Sequence, residues 1–549
     1  MNPGLTMVHR PRDQPTFAQS HLTLRPYFPF SLARNRRSLA LWLKWGFMRA
    51  LVFCLAITVM ALSIWRLEGE RAGLVQIPLA VEGGTPATLH LREGTAPAPV
   101  VVIAHGFAGS RQLMEPFALV LAQAGYVVAT FDFEGHGRNP RPMSGDVTSI
   151  DGTTRLLMDE TARVARAALA HPRADGRLAY LGHSMASDIV VRQALEDPPT
   201  DAVVAVSMFS EAVTEDAPRN LLVIAGAWEA RLAQEALRAL RLVDPTAQNG
   251  DITGDPALGT GRRALVVPQV EHVGVLYARA GLEAARDWLD ASFGRDNAAP
   301  APWRGGWIMA LLLATIALAW PLAQALPATH PTPPIRLTAT RFVIAALGPA
   351  LVVPLVLAPF DIRLLPVLVA DYLALHLGLY GLISLGLLAY WGQLRGQFPL
   401  RAVAVAAAVA GFGIVVLGGV LDRYVASFIP HAGRMGVVGA LALGAVPFLL
   451  GDALLSQGGK AGLWRVIVLR VAFLLSLGLA VSLDMERLFF LLIILPVIVL
   501  FFLLFGTMSG WVGRRCGMPA ACGLGLGLVL AWALGVTFPM FDPSVLGTP

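Results

Sequence analysis

The sequence predicts two architectures in one chain: an α/β domain on a mostly parallel sheet with helices on both faces, and an all-α polytopic transmembrane domain. Three observations predict this. Between residues 72 and 298, short apolar runs alternate with segments of helical periodicity, the pattern of βαβ units. One of those runs ends in Gly182-His183-Ser184-Met185-Ala186, a sharp strand-to-helix turn. Elsewhere the apolar residues gather into nine runs long enough, at about 1.5 Å per helical residue, to cross a bilayer. Mean hydropathy is +0.60 and 55% of the chain is hydrophobic, far above a soluble protein.

The elements follow in order. A hairpin-like pair, 75–81 and 87–92 around Gly83-Gly84, comes first. The run 99–104 is fully apolar, as a strand buried on both faces must be, and it leads into His105-Gly106-Phe107. The run 126–131 precedes Asp132-Phe133-Glu134-Gly135-His136-Gly137, and 178–182 precedes the serine turn. Three further strands are expected at 202–208, 220–225 and 263–267. Helical periodicity marks 114–124, 153–169, 187–195, 230–242 and 275–293.

Small residues on both sides of Ser184 let the backbone bend sharply and lift one hydroxyl to the tip of a sheet. A helix N-terminus follows directly, with a favourable dipole and a free N–H. Alone, this pattern is weak, and an ordinary capping serine explains it equally well. Its neighbours add weight. The His105-Gly106-Phe107 turn, the Asp132…Gly135-His136-Gly137 loop and the Gly182-His183-Ser184-Met185-Ala186 elbow, in that order, resemble the α/β-hydrolase superfamily over about residues 72–298. The departure is Ala186, where the family pattern has glycine; alanine is still small.

The resemblance implies a triad in the order serine, acid, histidine. The acid then follows the second strand after the nucleophile, which makes it Glu229 in Gly226-Ala227-Trp228-Glu229. Asp251 and Asp255 are rivals in a glycine-rich loop nearer the last strand, and Glu229 also reads as a carboxylate on the next helix's dipole. His272 is the histidine that follows the last strand. His105, His136 and His183 belong to other turns and shape the site; His171 is expected to be solvated. By the same resemblance the N–H groups of Met185 and Phe107 form the oxyanion hole. The implied chemistry is acyl transfer to Ser184 without metal or cofactor, and the domain contains no cysteine. Only about a dozen residues, 209–220, stand where many members insert a lid. The site is therefore expected to be open, or covered by short loops such as 138–152, with room for the membrane as a wall.

The apolar runs are 45–65 and then, within 304–541, about 304–326, 342–360, 364–391, 402–421, 435–456, 466–483, 488–506 and 519–541. Residues 1–50 carry seven Arg, one Lys and one Asp against a total of +6, so the basic excess is an N-terminal tail (1–44) and not a nucleic-acid surface. The positive-inside rule makes that tail cytoplasmic. Arg336 and Arg341, Arg395 and Arg401, Lys460 and Arg465, and Arg514 and Arg515 fall in alternate loops, which fits nine spans with the 72–298 domain periplasmic or extracellular. The Ala-, Leu- and Arg-rich composition suggests a bacterial inner membrane. The first run is read as a span and not a signal peptide, because its basic flank is too long and no small-x-small cleavage site follows. Cys54, Cys516 and Cys522 lie in or beside spans without metal-ligand spacing. Asp371, His376 and Asp452 fall inside spans; they read as interhelical hydrogen-bonding groups, with a proton or substrate path as the rival. No family resemblance is evident in the membrane half. Two functions follow: a membrane-anchored serine hydrolase acting on a small or lipid-like acyl ester, thioester or amide beside the bilayer, or a transporter or scaffold whose hydrolase-like domain binds or processes cargo. Oligomeric state is not legible.

Overall fold

The computed structural model describes residues 32–94, 96–146, 150–197, 200–297, 299–328 and 331–542. Most of the basic tail, residues 1–31, lies outside them. By packing, the chain divides into residues 1–51, of which the start of the first helix is described, and residues 52–549.

That helix, α1 (Leu32–Gly69), is followed by a nine-stranded sheet: β1 (Leu74–Leu79), β2 (Ala87–Arg92), β3 (Ala98–Ala104), β4 (Val127–Phe131), β5 (Ala174–His183), β6 (Thr200–Val206), β7 (Leu221–Gly226), β8 (Ile252–Thr253) and β9 (Arg262–Val267). The spatial order is β1-β2-β4-β3-β5-β6-β7-β9-β8. From β4 to β9 every neighbour is parallel; β1, β2 and β8 pair antiparallel. The β-branched run of β3 is buried throughout, as a central strand with both faces covered requires. Helices α2 (Glu115–Gln123) and α6 (Arg279–Phe293) cover one face; α3 (Arg155–Leu169), α4 (Met185–Glu196) and α5 (Ala230–Arg241) cover the other. In α3, Leu157, Thr161, Val164, Ala165 and Ala168 recur at helical spacing on the buried side.

The remaining helices are α7 (Arg304–Ala325), α8 (Ala339–Leu357), α9 (Ala370–Tyr390), α10 (Arg401–Gly411), which continues through a π-helical turn into α11 (Gly418–Tyr424), α12 (Met435–Leu455), α13 (Leu463–Leu483), the single turn α14 (Met485–Leu488), α15 (Phe490–Cys516) and α16 (Pro519–Thr537). Among the described residues, nine helical segments are long and apolar enough to cross a membrane.

Several sequence expectations shift. The run 364–391 is helical only from α9 onward; Asp371, in the first turn, accepts the N–H groups of Leu364 and Leu365 at 3.0 Å each, tying a non-helical lead-in to the helix N-terminus. Helix α15 continues ten residues past the expected 506, so Arg514 and Arg515 sit in its last turn and not in a loop. Cations there offset the exposed carbonyl dipoles. The segment 275–293 breaks into a 3-10 turn (Gly274–Tyr277) and α6. Strand β8, two residues long, carried no apolar signal.

The helices of the apolar region turn alternate ends toward the sheet domain. Arg304, at the start of α7, reaches Glu70 and Glu115. Arg138 pairs with Asp422 of α11 at 2.6 Å, and Ser427 N–H donates to Ser110 Oγ at 3.0 Å. Arg434, just before α12, donates to the Gly135 carbonyl at 2.8 Å, and Met143 exchanges hydrogen bonds with Met540 and Asp542 beyond α16. The opposite ends gather with one another: Thr332 bonds Gly517, Arg515 bonds Leu326, Gln457 bonds Ile335 and Gln397 bonds Pro333. The basic residues at 336, 341, 395, 401, 460, 465, 514 and 515 all belong to these opposite ends.

Inside the apolar region, Asp452 pairs with Arg470 at 2.9 Å, and His376 lies between Ser476 Oγ at 3.0 Å and Tyr372 Oη at 3.3 Å. The Asp452–Arg470 and His376–Ser476 contacts join different helices, while Tyr372 lies one turn from His376 on α9 itself.

Arg304 is 1% exposed between Glu70 and Glu115, with Arg71 also on Glu115 at 2.5 Å. Burial, only partly offset by Arg304, holds the Glu70 carboxyl above its ordinary range. Arg304→Leu leaves Glu70 without its ion pair and Glu115 with Arg71 alone, and is expected to cost about 3–5 kcal/mol at neutral pH. The deficit should shrink as the pH falls, because protonating Glu70 removes unpaired charge; thermal unfolding in nanodiscs at two pH values measures both. An equal deficit at both would contradict the assignment.

Candidate active site

Parallel register brings the site together. Gly182 of β5 pairs with Ala104 of β3, His183 with Val206 of β6, and Gly226 of β7 with Val267 of β9. The loops after β3, β5, β6, β7 and β9 therefore open on one edge, the carboxyl end of the sheet.

Ser184 stands between β5 and α4 with φ +53°, a conformation that costs a non-glycine residue about 1–3 kcal/mol. The turn is closed by small neighbours. A Cβ on Gly182 would strike the Ala186 carbonyl, and one on Gly106 would lie 2.9 Å from Ser184 Cβ. Ala186 itself is fully buried and the turn accommodates its methyl group. The Ser184 N–H is used by the Val206 carbonyl at 2.9 Å, which fixes the backbone and leaves the hydroxyl free to turn.

His272 Nε2 lies 2.8 Å from Ser184 Oγ, and His272 Nδ1 meets Glu229 Oε1 in a short contact. The other Glu229 oxygen accepts from Ser207 Oγ at 2.9 Å and from the Gly226 N–H at 2.8 Å. The Glu229 side chain is 6% exposed and that of His272 43%. Burial alone would raise the Glu229 pKa; the donors His272, Gly226 and Ser207 outweigh it and hold the carboxyl below its ordinary value. The rivals are engaged elsewhere: Asp251 accepts from Gln248 N–H at 2.7 Å and Asp255 from Ala257 N–H at 2.9 Å, both as turn caps.

Ser207 carried no sequence signal beyond its place at the end of a strand. It is buried with φ +52°, a second strained residue beside the first. Met185 opens α4, where helix geometry leaves the N–H without an intrahelical acceptor; Phe107 lies in the loop after β3 with its ring against His136. His105 Nε2 accepts from the Phe133 N–H at 3.1 Å, so its Nδ1 carries the proton and donates to the Gly106 carbonyl at 2.8 Å. Burial lowers the pKa of His105 and His136, and that of His183 to about 3. All three are therefore neutral fixtures of the loops around Ser184. His171 is half-buried and accepts from the Arg173 N–H at 3.2 Å.

A cavity of about 440 Å³ opens at Ser184, lined by Met185, Phe107, Leu157, Phe209 and, from the helical region, Phe490. The segment after β6 builds no lid. Met143 of the 138–152 loop lines the cavity as expected, and further cover comes from the far end of the chain, where Phe490 and Phe541 stack near Phe107 with ring centroids 5.6 and 6.5 Å away. Among the described residues, no group of three or more His, Cys, Asp or Glu side chains is placed to hold a metal.

Ser207→Ala removes one donor to a carboxylate and is expected to cost about 1.5–3 kcal/mol at neutral pH. A depressed native pKa adds stability above the unfolded value and loses it as the pH falls through the native one. The gap between variant and parent in denaturant should therefore narrow toward pH 3. A gap independent of pH would separate Ser207 from the Glu229 charge.

Residues 95–256 match a family model described as Hydrolase_4, serine aminopeptidase, S33. No curated protein matches the chain significantly. Similar solved structures include TT1662 from Thermus thermophilus (20% identity, covering 40% of this chain and 99% of that one, TM-score 0.28) and dienelactone hydrolase from Anabaena variabilis (21%, 39% and 96%, TM-score 0.28). Another is a soluble variant of monoglyceride lipase from Saccharomyces cerevisiae (12%, 40% and 97%, TM-score 0.30). None of these similarities bears on substrate. With its sheet order, the turn at Ser184 and the family match, this part of the chain is an α/β-hydrolase domain, joined to a large region of long apolar helices.

Proposed function

We propose that the protein is a membrane-bound serine hydrolase that cleaves a carboxylic ester, thioester or amide through an acyl-enzyme at Ser184. The observation that carries this is the continuous chain Ser184 Oγ, His272, Glu229, Ser207. His272 Nε2 takes the Ser184 proton as Oγ attacks the acyl carbon, and Glu229 holds the imidazole and the cation it becomes. The N–H groups of Met185 and Phe107 receive the oxyanion. His272 then passes the proton to the departing oxygen, sulfur or nitrogen. Water attacks the acyl-enzyme, gives its proton to His272, and the carboxylic acid leaves as Ser184 regains the hydroxyl proton. His183, neutral beside His272, adds no competing cation.

The nine apolar helices make the chain a membrane protein in this reading. Their basic ends lie away from the hydrolase domain, so the positive-inside rule puts that domain on the extracytoplasmic face. The Ala-, Leu- and Arg-rich composition makes the membrane a bacterial inner membrane.

A fluorophosphonate probe should label the parent at Ser184 and leave Ser184→Ala unlabelled. Labelling of His272→Ala and Glu229→Gln should slow by about a hundredfold or more. A folded parent that resists the probe would sink the reading. For the topology, Arg231→Cys should react with a membrane-impermeant maleimide in intact cells, and Lys460→Cys only after the cells are opened; the reverse pattern would invert the assignment.

A further inference from the structure

The cavity at Ser184 does not end within the hydrolase domain. Phe490, the first residue of α15, forms part of its wall and also part of the wall of a larger cavity of about 610 Å³. That second cavity lies among Leu357 at the end of α8, Val369 and Leu375 at the start of α9, and Leu488 of α14, with Gly145 of the hydrolase domain at its edge. A small cavity of about 10 Å³ shares Val369 and Phe490 with the larger one and Phe107 and Phe490 with the one at Ser184, and Phe541 completes its wall. Phe107 and Phe490, with ring centroids 5.6 Å apart, form the partition.

The walls of the larger cavity identify what can use it. Its apolar side belongs to helices of membrane-spanning length, and its charged rim, with Asp361, Arg363, Asp371, Asp484, Glu486 and Arg487, lies at the helix ends that face the hydrolase domain. A cavity that is apolar toward the spans and charged toward the domain matches a molecule oriented at a bilayer surface. A small water-soluble ester has no need of it; a long alkyl chain does, because a path lined by span residues keeps the chain out of water while its carbonyl reaches Ser184.

We infer that the two cavities are one substrate site for the acyl group of a long-chain bilayer amphiphile, the carbonyl at Ser184 and the chain passing Phe490 into the cavity between α8, α9 and α14. Phe490 is then the residue that sets chain-length preference. This rests on Ser184 being the nucleophile.

The test uses full-length protein in nanodiscs and two probes, a butyl and a hexadecyl fluorophosphonate, with the labelling rate of Ser184 as readout. The parent should label faster with the hexadecyl probe. Leu375→Trp fills the larger cavity without lining the one at Ser184, and should lower the hexadecyl-to-butyl rate ratio at least tenfold. Phe490→Trp should lower it, and Phe490→Ala, which opens the partition, should raise it. Leu443→Trp, on an exposed face of α12, should leave the ratio as in the parent. A parent with no preference, or a ratio unmoved by Leu375→Trp and by both Phe490 variants, overturns the shared site while leaving Ser184 as nucleophile. A parent that neither probe labels overturns the hydrolase reading instead.

Discussion

The buried guanidinium of Arg304 is the contact on which the arrangement of the two halves depends. It sits at the start of α7 and binds a carboxylate from the segment after α1 and another from α2. A charge so enclosed is tolerable only with partners, and its two partners come from separated stretches of chain. Arg434 also ties the halves together, joining the carbonyls of Gly535 and Phe538 at the end of α16 to Gly135 in the hydrolase domain. These contacts hold the carboxyl edge of the sheet against the helix ends, so that Phe490 and Phe541 reach Phe107.

That placement changes what kind of pocket the hydrolase domain has. With no lid between β6 and β7, a free domain would present Ser184 to solvent. Here the apolar helices supply the cover. Drawing a sixteen-carbon chain from a bilayer into water costs about 0.8 kcal/mol per CH₂, more than 10 kcal/mol in all on that scale. For the bilayer substrate proposed above, a site walled by the apolar helices avoids most of that cost.

Around Ser184 the chemistry is kept simple by burial. Three neighbouring histidines are held neutral, and each has a structural bond: His105 to Gly106 and Phe133, His136 to the Glu134 carbonyl, His183 to the His272 carbonyl. Only His272 sits between a hydroxyl and a carboxylate. The strained backbone at Ser184 and Ser207 is stabilised by the parallel strands around them, whose register fixes both turns.

Much of this was legible in the sequence because it is local. Apolar runs fix strands buried on both faces, small residues around Ser184 permit its turn, and chain order puts His272 after the last strand. Glu229 was separable from Asp251 and Asp255 only by analogy, since all three follow turns of similar composition; the register of β7 on β9 brings Glu229 alone to His272. Ser207, Arg470 opposite Asp452, and Phe490 at the pocket gave no local signal, because their partners lie 22, 18 and hundreds of residues away. Most strands, the apolar helices and the chain order of Ser184, Glu229 and His272 can be read from the sequence, since they depend on neighbouring side chains and backbone preferences; β8 and the ends of α9 and α15 cannot. The tertiary structure alone decided which carboxylate faces the imidazole and that the wall of the pocket comes from the far end of the chain, because packing between distant segments obeys no sequence spacing.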